Sequence, residues 1–463
     1  MINLFASLQG VSNALGAFSQ ALGAEQNNVS NSSTPGYAAV TPVIQPVGFG
    51  STAGRDTVVL QSTGNAQADA IVQAASSQAS DSQTRAQQLG SINQQFDITG
   101  STGILAAFQQ FSTAFASLAV TPNDTSVAQT ALAAAGSVAS AFNLVAGSLA
   151  SQTQSIGAST QSTVSQINDL SGQIAGFNAQ IRDQAELDPG TNASERSALS
   201  QLSSLVGVTV TQNADGTANV LAGGSIPLVL GDQSYTLSAN LQAAPGNQVT
   251  SSGGGAQPPS FSGTLGGLLD TFNNTITPIL GGNGQPGSLN TLAQGFASAA
   301  NALLTSGVTS TGVAGVPIFT YSANPADVAA TLAVDPSVTP SQIAVATTGA
   351  SPESNGIANQ LAELAGTSNP AYQINGQAPQ DYYSSIAQSV GQQLSDATTQ
   401  STADQTNLTS AQANQTAVEG VSLDQEAVSI SSYQRAWEAS AKLVTVIDSL
   451  NLDAVNLVGE QVS

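Results

Sequence analysis

The sequence predicts an α+β fold, mainly α, with paired N- and C-terminal coiled-coil-like helices, a long-helix bundle domain and a small antiparallel β subdomain. Three observations predict it. Apolar residues recur every seven positions at both ends of the chain. Thirteen of the eighteen prolines fall between Pro227 and Pro379, which leaves long proline-free stretches outside that region. The β signals gather in short runs separated by turn residues. Proline breaks helix interiors, so the outer regions can hold long helices and the middle cannot.

The N-terminal helix comes first. Leu4, Leu8, Val11, Leu15, Phe18, Leu22 and Val29 follow 4,3 spacing, and Glu25 is the one charge in the first forty residues. Such a seam is built to pack against other helices. Small polar residues around Asn28 and Asn31 end the helix, and the turn Thr34, Pro35, Gly36, Tyr37 follows. Pro35 fixes its backbone angle for the second position, and Gly36 supplies the positive φ that a type II turn needs next.

The middle of the chain alternates helix and strand. Val164, Ile167, Leu170, Ile174, Phe177 and Ile181 keep helical spacing, so a helix or a hairpin of helices is expected within 123–188. Val208–Val210, the turn around Asp215 and Gly216, and Asn219–Leu221 predict two strands in a hairpin. Further strands are expected at Ile226–Leu230, Tyr235–Ser238, Pro317–Tyr321 and Ile343–Thr347. The Gly/Pro-rich stretches 244–260 and 281–288 read as loops, with helices across 264–279 and 289–306.

The last proline-free stretch, 380–458, reads as mostly helix. Leu423, Ile430, Trp437 and Val444 recur every seven residues there, with Tyr433 and Ile447 beside them, so the returning helix pairs with the first. Trp437 reads as a buried packing anchor. The expected domains are a discontinuous terminal helical domain, 1–33 with 420–463, and a bundle domain, 34–419. Strands in the bundle domain lie at about 205–240 and 317–347, and any outer insertion is reduced or absent.

Composition excludes several functions. The 463 residues are long enough for a sizeable core, and only 7% are charged, against roughly a quarter in ordinary soluble proteins. The net charge is −22, and the six bases are too few and dispersed to neutralise phosphates, which argues against nucleic acid and anionic membrane. With no cysteine and no histidine, thiolate or imidazole metal sites, disulfides and His-served nucleophiles are ruled out. No cofactor is expected. Asp183, Glu186 and Asp188 crowd one stretch that could be read as a carboxylate or cation site; it reads instead as a solvated helix end. No run reaches the ~20 apolar residues of a membrane span, and the start lacks the pattern of a cleaved secretory signal.

The stretch Asn28, Val29, Ser30, Asn31 followed by Thr34, Pro35, Gly36, Tyr37 resembles the N-terminal signature of the flagellar rod, hook and hook-associated family. The C-terminal run from Val421 to Glu426, followed by Tyr433 to Lys442 around Trp437, is similar to the end of the family's hook–filament junction members. So is the segment Ile167–Ile181 followed by Arg196, Leu199, Leu202 and Leu205–Val210. Departures exist: Ala38 and Ala39 follow the turn where family members often carry Ser-Arg, and Ser194 to Ser197 stands where an Asp-Gln-Arg-Asp motif is usual.

The resemblance implies a non-enzymatic structural adaptor between hook and filament in the extracellular flagellum, exported by the flagellar type III apparatus. It implies a homo-oligomeric ring, with hook protein below, a second junction protein above, and a cytoplasmic export chaperone covering the C-terminal helix. The terminal seams are then the assembly interface, loosely ordered until neighbours bury them. A hook or distal-rod subunit is the nearest rival. A rod-associated peptidoglycan hydrolase and a secreted adhesin stand further off.

Overall fold

The computed structural model describes residues 2–47, 55–183, 189–213, 215–243, 247–255, 260–282, 284–349 and 354–460. Helix α1 (Ile2–Asn31) leads through the Thr34–Tyr37 turn into an antiparallel ribbon of β1 (Val40–Val47) and β2 (Arg55–Ser62) that packs on α1. The sequence reading did not foresee this ribbon, because Pro42 and Pro46 argue against a strand. In a two-stranded ribbon every strand is an edge, so the missing N–H groups are tolerated.

Helix α2 (Ala66–Asn93) begins where Asn65 Oδ1 accepts the backbone N–H groups of Gln67 and Ala68 at 3.0 and 3.2 Å. Helix α3 (Gly103–Val120) precedes α4 (Thr125–Asp183), a single helix of 59 residues where a hairpin was also allowed. At 1.5 Å per residue it runs about 90 Å. Its first half, from Ala128 to Ile156, lies in the main core and its second half, from Val164 to Ala175, in a second core. This helix therefore joins the two cores of the body.

The second core is roofed by α5 (Pro189–Leu205) and a four-stranded antiparallel meander, β3 (Val208–Gln212), β4 (Ala218–Ala222), β5 (Ile226–Leu230) and β6 (Gln233–Ser234). The Asp215 carboxylate accepts the Thr217 N–H at 3.1 Å and Gly216 has φ +84, as the hairpin reading required. Asn178, fully buried on α4, fixes the sheet: its amide nitrogen donates to the Ala218 and Gly231 carbonyls, and its oxygen accepts Ala218 N–H at 2.8 Å. Of the strand expected at Tyr235–Ser238, only Leu237 and Ser238 form one, in β7 (Leu237–Ala239), which pairs with β8 (Val249–Ser251); Tyr235 and Thr236 lie between β6 and β7.

Helix α6 (Gly263–Thr271) continues through a π turn, Phe272–Ile276, into α7 (Thr277–Leu280). The ribbon β9 (Gly281–Gly282) and β10 (Gln285–Pro286) leads to α8 (Ser288–Ser306). Short strands β11 (Gly307–Val308), β12 (Phe319–Thr320), β13 (Ala333–Val334) and β14 (Ala346–Thr347) pair 11 with 14 and 12 with 13, around α9 (Val328–Thr331). The expected strands at 317–321 and 343–347 are thus two residues each. With α10 (Gly356–Ala362) they fold onto the main core, where Phe108, Phe111, Phe142, Phe296 and Phe319 meet. The rings of Phe108 and Phe296 are 4.6 Å apart and tilted, a favourable geometry. Helices α3 and α4 have stretches long and apolar enough to cross a membrane, but Ile104, Phe115, Phe142 and Leu149 on them are buried in this core.

Helix α11 (Pro379–Glu419) returns along α2, burying Val390, Ala397, Asp404 and Ala411 every seven residues. Buried positions of α2 include the small residues Ser77, Ala79 and Ser82, of which Ser77 bonds Ser262 beyond α5 at 2.7 Å. Helix α12 (Leu423–Glu460) then folds back on α1. The start of α12 lies beside the end of α1, so the two run antiparallel.

Candidate assembly surface and the joint that carries it

Every polar atom of one side chain, Asn28, is used to connect the ends of the chain to the body. Its amide nitrogen donates to the Val40 carbonyl at 2.9 Å and to both carboxylate oxygens of Glu426 at 3.2 Å. Its oxygen accepts the Tyr37 hydroxyl and the Val40 N–H, each at 2.9 Å. One buried amide thus holds α1, the turn, β1 and the start of α12 together. The spacing of Asn28 and Tyr37 in the signature follows from this geometry.

The turn itself is built locally. Thr34 N–H donates to the Asn31 carbonyl at 2.9 Å, and Tyr37 N–H to the Thr34 carbonyl at 3.1 Å. Gly36 has φ +78, as a type II turn needs. It also lies against α5: a Cβ there would run into the Ala193 carbonyl oxygen and stand 2.9 Å from Ser197 N. Glycine is therefore required both by conformation and by contact.

Beneath the turn sits an ion cluster. Arg196 on α5 donates through Nη2 to Asp69 of α2 at 2.5 Å and to Glu419, the last residue of α11, and through Nε to Asp69 at 3.0 Å. Gln415 adds a bond to Asp69 at 2.5 Å. Glu419 also accepts the Asn65 N–H through its side chain and the Ala39 N–H through its carbonyl. Three body helices and both chain crossings meet at this guanidinium. Next to it, Glu195 is buried with Oε1 unpaired, and burial pushes its carboxyl up to about 7 against the pull of Arg196.

The terminal pair is packed more narrowly than the heptad pattern implied. The buried α1 positions are Ala17, Ala21, Ala24, Glu25 and Asn28; the three alanines and Asn28 sit one residue before the predicted seam. Leu8, Val11, Leu15, Phe18 and Leu22 are only half-buried, and Val29 is exposed. The side chain of Leu4 lies outside the described residues. On α12, Ile430, Tyr433, Val444 and Ile447 are half-buried towards α1, whereas Leu423 is 55% and Trp437 43% exposed. Trp437 is thus not the buried anchor that its seam position suggested. Adjacent to that seam, Val428, Leu443, Val446 and Leu450 form a second apolar stripe that faces away from α1. The small alanines bring the helices close, and the larger side chains are left on the flanks.

Of the carboxylates singled out in the sequence, Asp183 is exposed beside Arg182 at 3.5 Å, and Glu186 and Asp188 lie outside the described residues. No group of three or more potential metal ligands occurs among the described residues. Sequence reasoning gave no role to Asp69, Glu419 or Glu25, and quoted Arg196 only for its resemblance. The scarcity of bases, six in the whole chain, was the available signal.

Residues 89–319 match the helical domain of flagellar hook-associated protein FlgK, and residues 415–457 match the C-terminal domain of the flagellar basal body rod FlgEFG proteins. The chain belongs to the flagellar hook-associated protein 1 family. A relative carrying that name from Bacillus subtilis strain 168 is 25% identical over 511 aligned positions, covering 99% of both chains. The Salmonella typhimurium LT2 protein of the same name is 26% identical over 324 positions, 66% of this chain and 57% of that protein. The solved structure of the flagellar hook junction protein FlgK from Burkholderia pseudomallei superposes with a TM-score of 0.62 at 18% identity, over 76% of this chain and all of that one. At that identity the likeness is one of fold, and the fold is the mainly α arrangement with small antiparallel sheets expected from the sequence. The hook-associated protein 1 family is a family of structural flagellar proteins.

Proposed function

We propose that this chain joins hook to filament in the bacterial flagellum, and that it self-assembles through its terminal helices. The observation that carries this reading is the pair α1 and α12, which bury alanines between themselves and leave larger apolar residues outside. Leu423, Trp437, Leu443, Val446 and Leu450 are each more than two-fifths exposed on one helix. Leu423 and Trp437 lie along the seam and the other three on the outer stripe; exposed apolar surface of this kind is costly to leave in water and marks an interaction surface. Neighbouring subunits in a closed ring supply the missing surface, each burying its stripes against the next. The stabilisation is about 25 cal/mol for each Å² of apolar area removed from water.

On this reading Leu8, Val11, Leu15, Phe18, Leu22 and Val29 meet neighbours together with the outer stripe of α12. Leu4 is assigned to the same surface. Hook protein below, a second junction protein above and a cytoplasmic chaperone on α12 complete the set of partners. Export uses the flagellum's own apparatus, the body domain carries no catalysis, and any outer insertion is reduced. A hook or distal-rod subunit is the second reading, favoured by the match of residues 415–457 to the rod-type C-terminal domain. Electron microscopy of a deletion strain separates them. Intact hooks with filaments unattached support the junction role; loss of the hook itself overturns it.

A further inference from the structure

Two carboxyl groups, Glu25 and Glu426, are buried against each other where α1 crosses the start of α12. Glu25 is 5% and Glu426 8% exposed. The groups that face them can be named element by element. From α1 comes Asn28, which donates to both oxygens of Glu426. The turn after α1 contributes the Tyr37 hydroxyl, bonded to Asn28, and β1 contributes the Val40 backbone. From α12 comes the Tyr433 phenol, whose deprotonation is opposed first by burial and then by the charge of Glu25. Tyr37 is held protonated by burial and then by Glu426. Among the described residues neither Lys nor Arg faces the pair.

Two like charges in one buried site cannot both remain ionised. A carboxylate pair that shares one proton satisfies both the hydrogen bond and the charge. We infer that Glu25 and Glu426 form a proton-dependent latch, in which docking of α1 onto α12 takes up one proton. The latch lies within one chain, so it stands independently of the assembly reading.

Burial first, then the hydrogen bond and charge of Glu426, push the Glu25 carboxyl from 4.5 up to about 8, with only Asn28 acting against them. A group raised in the docked state stabilises docking fully below its undocked value and loses that contribution as pH rises through the docked one. Between about 4.5 and 8, each pH unit therefore weakens the docking equilibrium by up to about tenfold. Acid tightens the joint, and above pH 8 the loss levels off.

The chain has no cysteine, so spin labels can be placed uniquely in the full chain through Gln20→Cys and Gln434→Cys. Both positions are exposed. The interlabel distance distribution is followed against urea at pH 5.5 and pH 8. The expected result is a lower urea midpoint for broadening at pH 8, and a difference between the two pH values that shrinks severalfold in Glu25→Gln. Glutamine keeps a donor for Glu426 without the titration. Equal midpoints in the parent chain overturn the latch, as does an undiminished pH difference in Glu25→Gln. Should that variant fail to fold, Glu426→Gln takes its place with the same two outcomes. Glu195, the other carboxyl pushed up towards neutrality near the joint, is unchanged in all these chains, so its contribution cancels.

Discussion

The Tyr37 hydroxyl donates to Asn28 Oδ1 at 2.9 Å, across the turn that separates the terminal helix from the body. The bond joins residues nine positions apart and fixes the direction in which α1 leaves the body. Asn28→Ala strands the Val40 N–H and one side of Glu426 in a buried site. A buried group left unpaired costs about 1–3 kcal/mol, so the terminal pair should lose most of its protection in hydrogen exchange while residues 130–210 keep theirs. Tyr37→Phe removes a single bond and should cost about 1 kcal/mol. Equal protection of α1 in parent and Asn28→Ala would show that the amide is not the joint.

Arg196 is the next test of the joint. Its guanidinium is held by Asp69 and Glu419, with side chains 15%, 18% and 5% exposed. Removing one partner of a buried ion pair leaves an uncompensated charge, worth about 3–5 kcal/mol. Arg196→Ala should lower the denaturant midpoint of the whole body, because α2, α5 and α11 all meet there. Arg196→Lys should recover little, since an ammonium cannot reproduce the fork that reaches both carboxylates. Full stability of the lysine variant would reduce the cluster to a simple point charge.

How far the sequence foretold this arrangement depends on the kind of signal. Local signals were read correctly: the Asp215–Gly216 turn and its two strands, the proline-free helices, and Gly36 in a positive-φ turn. The ribbon of β1 and β2 escaped, because Pro42 and Pro46 count against a strand unless one knows that both strands are edges. The heptad register at both ends was one residue off on α1. The large residues suggest the seam, but here alanines fill it, and only the partner helix determines which face is narrow. The bonds of Arg196 to Asp69 and to Glu419 span separations of 127 and 223 residues, and no local pattern encodes such a meeting.

The turn glycine makes a sharper prediction than the helices. Gly36→Ala adds a methyl group directly against the backbone of α5 at a φ that L-residues avoid. Strain and clash together should exceed the ~1 kcal/mol that a compatible Gly→Ala change would gain. The expected result is a stable body with a displaced α1, seen as higher exchange confined to residues 2–40 and as loss of filament attachment in cells. Normal swimming with unchanged exchange would show that α5 yields easily.

Two substitutions on α1 separate pairing within the chain from assembly between chains. Ala21 is fully buried against α12, so Ala21→Leu overpacks the narrow seam, at a cost of about 1–3 kcal/mol. It should loosen the terminal pair in the free chain. Phe18→Asp lies on the half-buried flank, where the free chain can hydrate the charge and a neighbour's apolar surface cannot. It should leave the free chain nearly unchanged and abolish incorporation. If Phe18→Asp subunits still assemble, the flank is not the contact surface.

Trp437 is the single tryptophan and is 43% exposed at the flank of the α12 seam. In the free chain it contributes little, so Trp437→Ala should shift stability by roughly 1 kcal/mol or less, as for a partly exposed side chain. Once a chaperone or a neighbouring subunit covers this flank of α12, the same indole becomes buried, and its truncation then costs about 3 kcal/mol or more. The two environments should be visible directly. Emission of the free chain should be red-shifted and should move to the blue when the covering partner is added, while Trp437→Ala should weaken that partner's binding more than a hundredfold, the ratio that ~3 kcal/mol corresponds to. A maximum already blue in the free chain, or one unmoved by every flagellar partner, would take the Trp437 flank of α12 out of the assembly surface.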